Sequence, residues 1–293
     1  MVAKRALQLA CIATFVFAFV EFVGGRLAGS LALIADAAHL VGDAGALGLA
    51  FLAAWIAGQP ATRKMSYGFH RVEILAALTN GVGLVTIAIF VILKALPRFS
   101  APREVQGTLM MGFGAAGLLF NLAIAGFIHR FTKENLNIRS AFYHVLGDLL
   151  GSVGVVIAAF LVSRFHWPYA DPLVSIGIGL LIIWGAWIIL RDGVEVLLEA
   201  APSRVNMHNL ESRLLSLPGV EEICDLHVWT ISSGKEALSV HLGIRAASDP
   251  TSFLKQVNEI LAQEFGIHHV TIQLEESCKK PHKPHASHRS GEF

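Results

Sequence analysis

Charge is scarce in this sequence: Asp, Glu, Lys and Arg make up 15% of 293 residues, against about 25% in soluble proteins. The charges nearly cancel, to a net +1, and no basic stripe runs along the chain, which argues against nucleic acid as a partner. Cysteine is also scarce. Cys11, Cys224 and Cys278 lie far apart with no CxxC pair, so no disulfide framework is implied. No HExxH occurs, so an intramembrane metalloprotease would lack its general-base glutamate; no covalent chemistry is expected and the chain does not read as an enzyme. No cleavable signal peptide is expected either, because the first apolar run is too long and continues into a membrane pattern.

What the chain has in quantity is apolar sequence, 54% of residues, with a mean hydropathy of +0.58. A membrane helix needs about 20 mostly apolar residues. Six stretches qualify: roughly 6–28, 31–57, 72–96, 105–128, 141–162 and 173–190, the last continuing as helix to about Glu199. Gly29-Ser30, Gly58-Gln59-Pro60, Pro97, Pro102, Trp167-Pro168 and Asp171-Pro172 punctuate them. One set of span ends holds Lys4, Arg5, Arg63, Lys64, Arg71, Arg130, Lys133 and Arg139, and the other only Arg26, Arg98, Arg103 and Arg164. The richer side is expected to be cytoplasmic, which puts both termini there.

Beyond residue 200 the pattern becomes that of a soluble domain. Residues 207–217 read as a helix, 222–231 and 236–245 as strands about Ser232-Ser233-Gly234, 250–265 as a helix capped by Asp249, and 269–274 as a third strand. That αββαβ order predicts a small ferredoxin-like α+β domain. The expected division is a transmembrane domain over 1–200, the α+β domain over 201–278, and a polar, His-containing tail over 279–293 with His282, His285 and His288.

The second span contains His39-Leu-Val-Gly-Asp43 and the fifth His144-Val-Leu-Gly-Asp148. Residues four apart share a helix face, so each helix offers one imidazole and one carboxylate in one direction. Two such helices side by side offer two nitrogens and two oxygens, a set suited to tetrahedral Zn2+. Asp in mid-membrane costs about 2.5–3.5 kcal/mol on insertion scales, so such residues face the bundle interior and mark ion paths. Gly42, Gly45 and Gly48 on one helix and Gly147, Gly151 and Gly154 on the other are expected to let the two approach closely. One His–Asp pair alone reads equally well as hydrogen-bonding glue between helices; two copies in separate spans favour metal. Asp36, a turn before His39, is expected near the mouth of the span, where it guides ions or caps a helix, while Glu21, Asn80 and Asn121 read as packing residues outside the site.

The paired HxxxD motifs resemble the cation diffusion facilitator family. So do Tyr67-Gly68-Phe69-His70-Arg71-Val72-Glu73, Glu134-Asn135-Leu136-Asn137, Ala170-Asp171-Pro172 and Asp225-Leu226-His227-Val228-Trp229. The likeness runs over about residues 5–278 and leans to the bacterial zinc/cobalt/cadmium-resistance branch and the animal zinc transporters. It implies six membrane helices with a cytoplasmic ferredoxin-like domain, a homodimer, and proton-coupled export of a divalent metal. The metal is most readily Zn2+, with Co2+ or Cd2+ as alternatives, and the expected location is the bacterial inner membrane. His rather than Asp at position 39 favours Zn2+ over Cd2+ by the same resemblance. The family likeness further makes Cys224, His241 and Glu275 counterparts of cytoplasmic metal ligands, Cys278 the counterpart of a terminal thiolate, and His70 that of a metal contact at the junction with the tail domain. His227 falls on a predicted strand beside them. A solvent-facing strand histidine is as readily an ordinary surface residue. A passive metal channel and a membrane-bound metal sensor remain the alternatives.

Overall fold

The computed structural model describes residues 2–129, 136–232, 234–245 and 249–276, with side chains described except at 2–11, 128 and 136–144. They group into two compact units, one of residues 1–53 and 76–191, the other of 54–75 and the chain from Asp192 onward.

The first unit is helical: α1 (Val2–Ala28), α2 (Leu31–Ala57), α3 (Val72–Ala95), the short α4 (Pro97–Ser100), α5 (Gly107–His129), α6 (Leu136–Phe165) and α7 (Ala170–Leu197). Five of the long helices have described segments long and apolar enough to cross a membrane, and α1, of 27 residues, is the sixth expected span. Gly29, at φ +70°, breaks the chain between α1 and α2 in a conformation that side chains with a Cβ rarely adopt. Glu199, at φ +61°, falls just past the end of α7, close to the helix end expected from sequence. The core between the helices is built largely of alanine, with Ala32, Ala35, Ala88, Ala158 and Ala159 fully buried beside Leu33, Met110 and Val155. Small residues let membrane helices pack closely. The large residues point outward instead: Phe51 is 78% exposed and Trp184 67%, as befits a surface whose solvent is lipid.

The second unit runs α8 (Met207–Leu215), β1 (Val220–Ser232), β2 (Lys235–Ile244), α9 (Pro250–Phe265) and β3 (His269–Glu275), the αββαβ order expected from sequence. β1 and β2 pair antiparallel, and β3 joins the other edge of β2 in parallel after the α9 crossover. Asn206 caps α8 by accepting from the Asn209 N–H at 3.0 Å. Asp249 accepts from the Thr251 N–H at 3.0 Å, with Pro250 opening α9, where a missing N–H costs nothing. Leu210, Leu214, Leu238, Val240, Leu242, Val257, Leu261 and Ile267 are fully buried between helices and sheet.

Candidate metal centre

The i,i+4 spacing in α2 puts the His39 and Asp43 side chains on one face, with His39 Nε2 3.7 Å from Asp43 Oδ2. From α6, Asp148 Oδ1 lies 3.2 Å from the same Nε2. Among the described residues, these three form the one group whose ligand atoms all fall within 4.8 Å of one another. Asp148 is buried, and His39 and Asp43 keep about a fifth of their side-chain surface. Two carboxylates from two helices therefore converge on one imidazole nitrogen, an arrangement that supplies the anionic oxygens and neutral nitrogen a divalent ion needs. The fourth expected ligand, His144, lies outside the described side chains, on the backbone of α6 one turn before Asp148.

Glycine brings these helices together differently from the expectation. A Cβ on Gly42 would meet Leu84 Cδ2 of α3 at 2.5 Å, and one on Gly154 would meet Val174 of α7 at 3.3 Å. Gly45, Gly48 and Gly147 face open space, and only Gly151 lies against α2, where a Cβ would sit 3.2 Å from Asp36 Oδ1. The two helices share the centre, but most of the glycine positions serve other neighbours or none, because the spacing that puts a glycine on a helix does not say which helix it meets.

Asp36, expected near the mouth of the span to guide ions or cap a helix, is turned inward. It is 1% exposed and accepts from Ser152 Oγ at 3.2 Å; Ser152 in turn accepts from Asn121 Nδ2 at 2.9 Å. The helix cap belongs to another carboxylate. Asp171, fully buried, accepts from Ser30 Oγ at 2.6 Å and from the Leu31 and Ala32 N–H groups at 3.0 and 3.1 Å. Arg98 Nη1 bridges it at 2.9 Å and reaches the Gly29 carbonyl at 2.8 Å. One carboxylate from α7 thus satisfies the first donors of α2 and pairs with its dipole, fixing the end of the helix that carries His39 and Asp43. The sequence marks this position only as an Asp-Pro at a helix start.

In the second unit, His241 Nδ1 of β2 lies 2.9 Å from Glu275 Oε1 of β3. His227 Nε2 lies 3.0 Å from Asp225 Oδ1 on β1, both exposed. His70 Nε2 lies 3.0 Å from Lys235 Nζ. Cys224 is buried on β1. Cys278 and the His-rich tail lie outside the described residues. Among the described residues, His241 and Glu275 are therefore the only pair of the expected tail ligands brought together, and no third joins them. Arg71 Nη2 pairs with Glu199 Oε1 at 2.9 Å.

Comparison with known proteins agrees with this architecture. A model of the cation efflux transmembrane domain matches residues 7–198, and one of the cation efflux protein cytoplasmic domain matches residues 202–277. The chain is 40% identical over 280 residues to the zinc transporter ZitB of Escherichia coli (strain K12), covering 94% of this chain and 89% of that protein. It is 38% identical over 273 residues to the metal cation efflux system protein CzcD of Cupriavidus metallidurans, covering 93% and 86%. To the cadmium, cobalt and zinc/H(+)-K(+) antiporter of Bacillus subtilis it is 36% identical over 277 residues, covering 93% and 89%. With a two-helix His–Asp centre in a bundle of membrane-spanning helices and both domain models matched, this chain belongs to the cation diffusion facilitator family of membrane metal transporters.

Proposed function

We propose that the chain exports divalent transition metal, Zn2+ foremost, from the cytoplasm in exchange for protons, by alternating access at His39, Asp43, His144 and Asp148. The observation that carries this reading is the single His39 Nε2 held 3.2 Å from Asp148 and 3.7 Å from Asp43. Carboxylates of two different helices bear on one nitrogen, so a relative movement of α2 and α6 would change the site's affinity. Metal requires neutral imidazole and ionised carboxylate, so its binding releases protons and proton return favours its release. The relatives' names, for zinc transport and for antiport of cadmium, cobalt and zinc against H+ and K+, support the same cargo and the same exchange. The excess of Lys and Arg on one set of span ends supports cytoplasmic termini in a bacterial inner membrane, and the matched C-terminal domain model supports a homodimer. His241 with Glu275 supports a regulatory metal position in the C-terminal unit, which Cys224, Cys278, His70 or His227 would have to complete.

Purified protein in liposomes tests this. Acid-inside vesicles should accumulate Zn2+ against its gradient, and collapsing the pH difference should stop accumulation. Downhill flux indifferent to pH would indicate a passive channel, and Zn2+ binding without flux a sensor.

A further inference from the structure

Glu21 of α1 is 1% exposed, and its carboxyl faces that of Asp36 on α2, also 1% exposed. Among the described residues, no hydrogen-bond donor reaches either carboxylate oxygen of Glu21, and the Asp36 carboxyl is the polar group it meets. Four helices are shaped around the pair. A Cβ on Gly117 of α5 would lie 2.9 Å from Glu21 Oε1, and one on Gly151 of α6 would lie 3.2 Å from Asp36 Oδ1. On the same two helices, Asn121 donates to Ser152 and Ser152 to Asp36, at 2.9 and 3.2 Å. Glycine thus stands where a side chain would crowd either carboxyl. The charged groups nearest this pair are those of the metal centre, His39 and Asp148, both of which act on Asp36.

Two carboxylates so buried cannot both carry charge unless a positive charge is resident between or beside them. The ligand atoms the pair and Ser152 offer are oxygens, unlike the imidazole-bearing centre one turn further along α2. Oxygen-only sites suit hard cations and not the borderline Zn2+. We propose that Glu21 and Asp36, backed by Ser152 and Asn121, form a second cation site. It holds one hard monovalent cation, a proton or K+, and gives it up when metal enters the His39–Asp148 centre. This inference rests on the exchange reading above and supplies a place for the counter-cation outside the metal ligands themselves. Metal arriving one helical turn away adds positive charge beside Asp36, which lowers the affinity of the pair for its own cation. By reciprocity the resident cation weakens metal binding by the same factor.

The test uses full-length protein in detergent and weakly buffered solution, titrated with Zn2+ while a pH indicator reads the protons released. It is repeated with K+ replaced by choline. Glu21→Gln keeps the shape of the side chain and removes its charge. If the occupant is a proton, this variant still binds Zn2+ but releases about one proton fewer per metal than the parent. If the occupant is K+, raising K+ weakens Zn2+ binding in the parent and not in Glu21→Gln. Equal proton release and equal K+ response in variant and parent overturn the inference and leave the exchange reading standing. A parent that releases no proton and ignores K+ overturns both. Asp36→Asn is read in parallel in case Glu21→Gln does not fold. If both variants lose Zn2+ binding altogether, the pair supports the fold and does not exchange a cation, and the inference fails.

Discussion

In the helical unit, Glu21, Asp36, Asp148 and Asp171 are each 7% exposed or less, while Phe51, Trp55 and Trp184 are 62% exposed or more. In the C-terminal unit the order is reversed. Leu210, Leu238 and Leu261 are fully buried, and the ion pairs Arg213–Glu264 and Arg245–Glu221 stand at the surface. Glu236, 6% exposed and bonded to Arg204, is the exception among its described acids. The contrast follows from the solvent. Water rewards exposed charge and buried hydrocarbon, whereas lipid rewards neither helix contact through hydrophobicity nor exposed charge, so the polar groups turn inward and become the functional ones. A charge-changing substitution should therefore cost much in the first unit and little in the second.

The largest effect is expected at Asp171. Asp171→Ala removes the acceptor of Ser30, Leu31, Ala32 and Arg98 at once and leaves a guanidinium 12% exposed without its partner. Breaking one side of a buried pair typically costs about 3–5 kcal/mol. Thermal unfolding in detergent should show a correspondingly large loss, and a parental midpoint would mean the cluster does not hold α2.

The next effect is one of selectivity. His39→Asp replaces a borderline nitrogen by a third carboxylate, giving a more oxygen-rich centre. Competition transport should move toward Cd2+ relative to Zn2+, on the order of tenfold, equivalent to roughly 1.4 kcal/mol. An unchanged ratio would remove His39 from the determinants of selectivity.

Smaller still is the Arg71–Glu199 pair, whose side chains are 41% and 60% exposed. Such pairs contribute about 0–1 kcal/mol. Reversing either charge should lower stability by no more than that, and reversing both should restore it. A loss of several kcal/mol from the single change would contradict the comparison of the two units.

The smallest effect is at Glu264, where hydrogen bonds from Arg213 hold the carboxyl below the usual glutamate range. A carboxyl lowered on folding adds stability above its unfolded value and loses it as pH falls through the folded value. Parent and Glu264→Gln should therefore differ slightly near neutrality and converge in acid. Divergence on acidification would reverse the sign.

How much of this was legible in sequence follows the range of the contacts. His39–Asp43 is a contact within one helix turn, so the HxxxD spacing announced it, and repeating the motif on a second span announced Asp148 as its partner. The αββαβ order was readable because each element carries its own period, cap and turn residues, such as Asp249-Pro250 and Ser232-Ser233-Gly234. Asp171 was not readable as a cap, because the donors it satisfies lie 139 to 141 residues away. Glu21 and Asp36 likewise looked like a packing residue and a mouth residue, since nothing local says that α1 and α2 turn these carboxyls toward each other. In the C-terminal unit, strand alternation places His241 but not its partner, which parallel addition of β3 delivers as Glu275.

The most direct test of the central claim, that side chains of α2 and α6 jointly hold the transported metal, is Zn2+ uptake into acid-inside proteoliposomes by Asp148→Ala, with insertion and folding matched to the parent. Losing an outer partner of a metal ligand typically costs about 10–100-fold, so losing an anionic ligand should lower uptake by about a hundredfold or more, to the level of empty vesicles. Uptake at the parental rate would place the transport site elsewhere in the bundle and contradict the account.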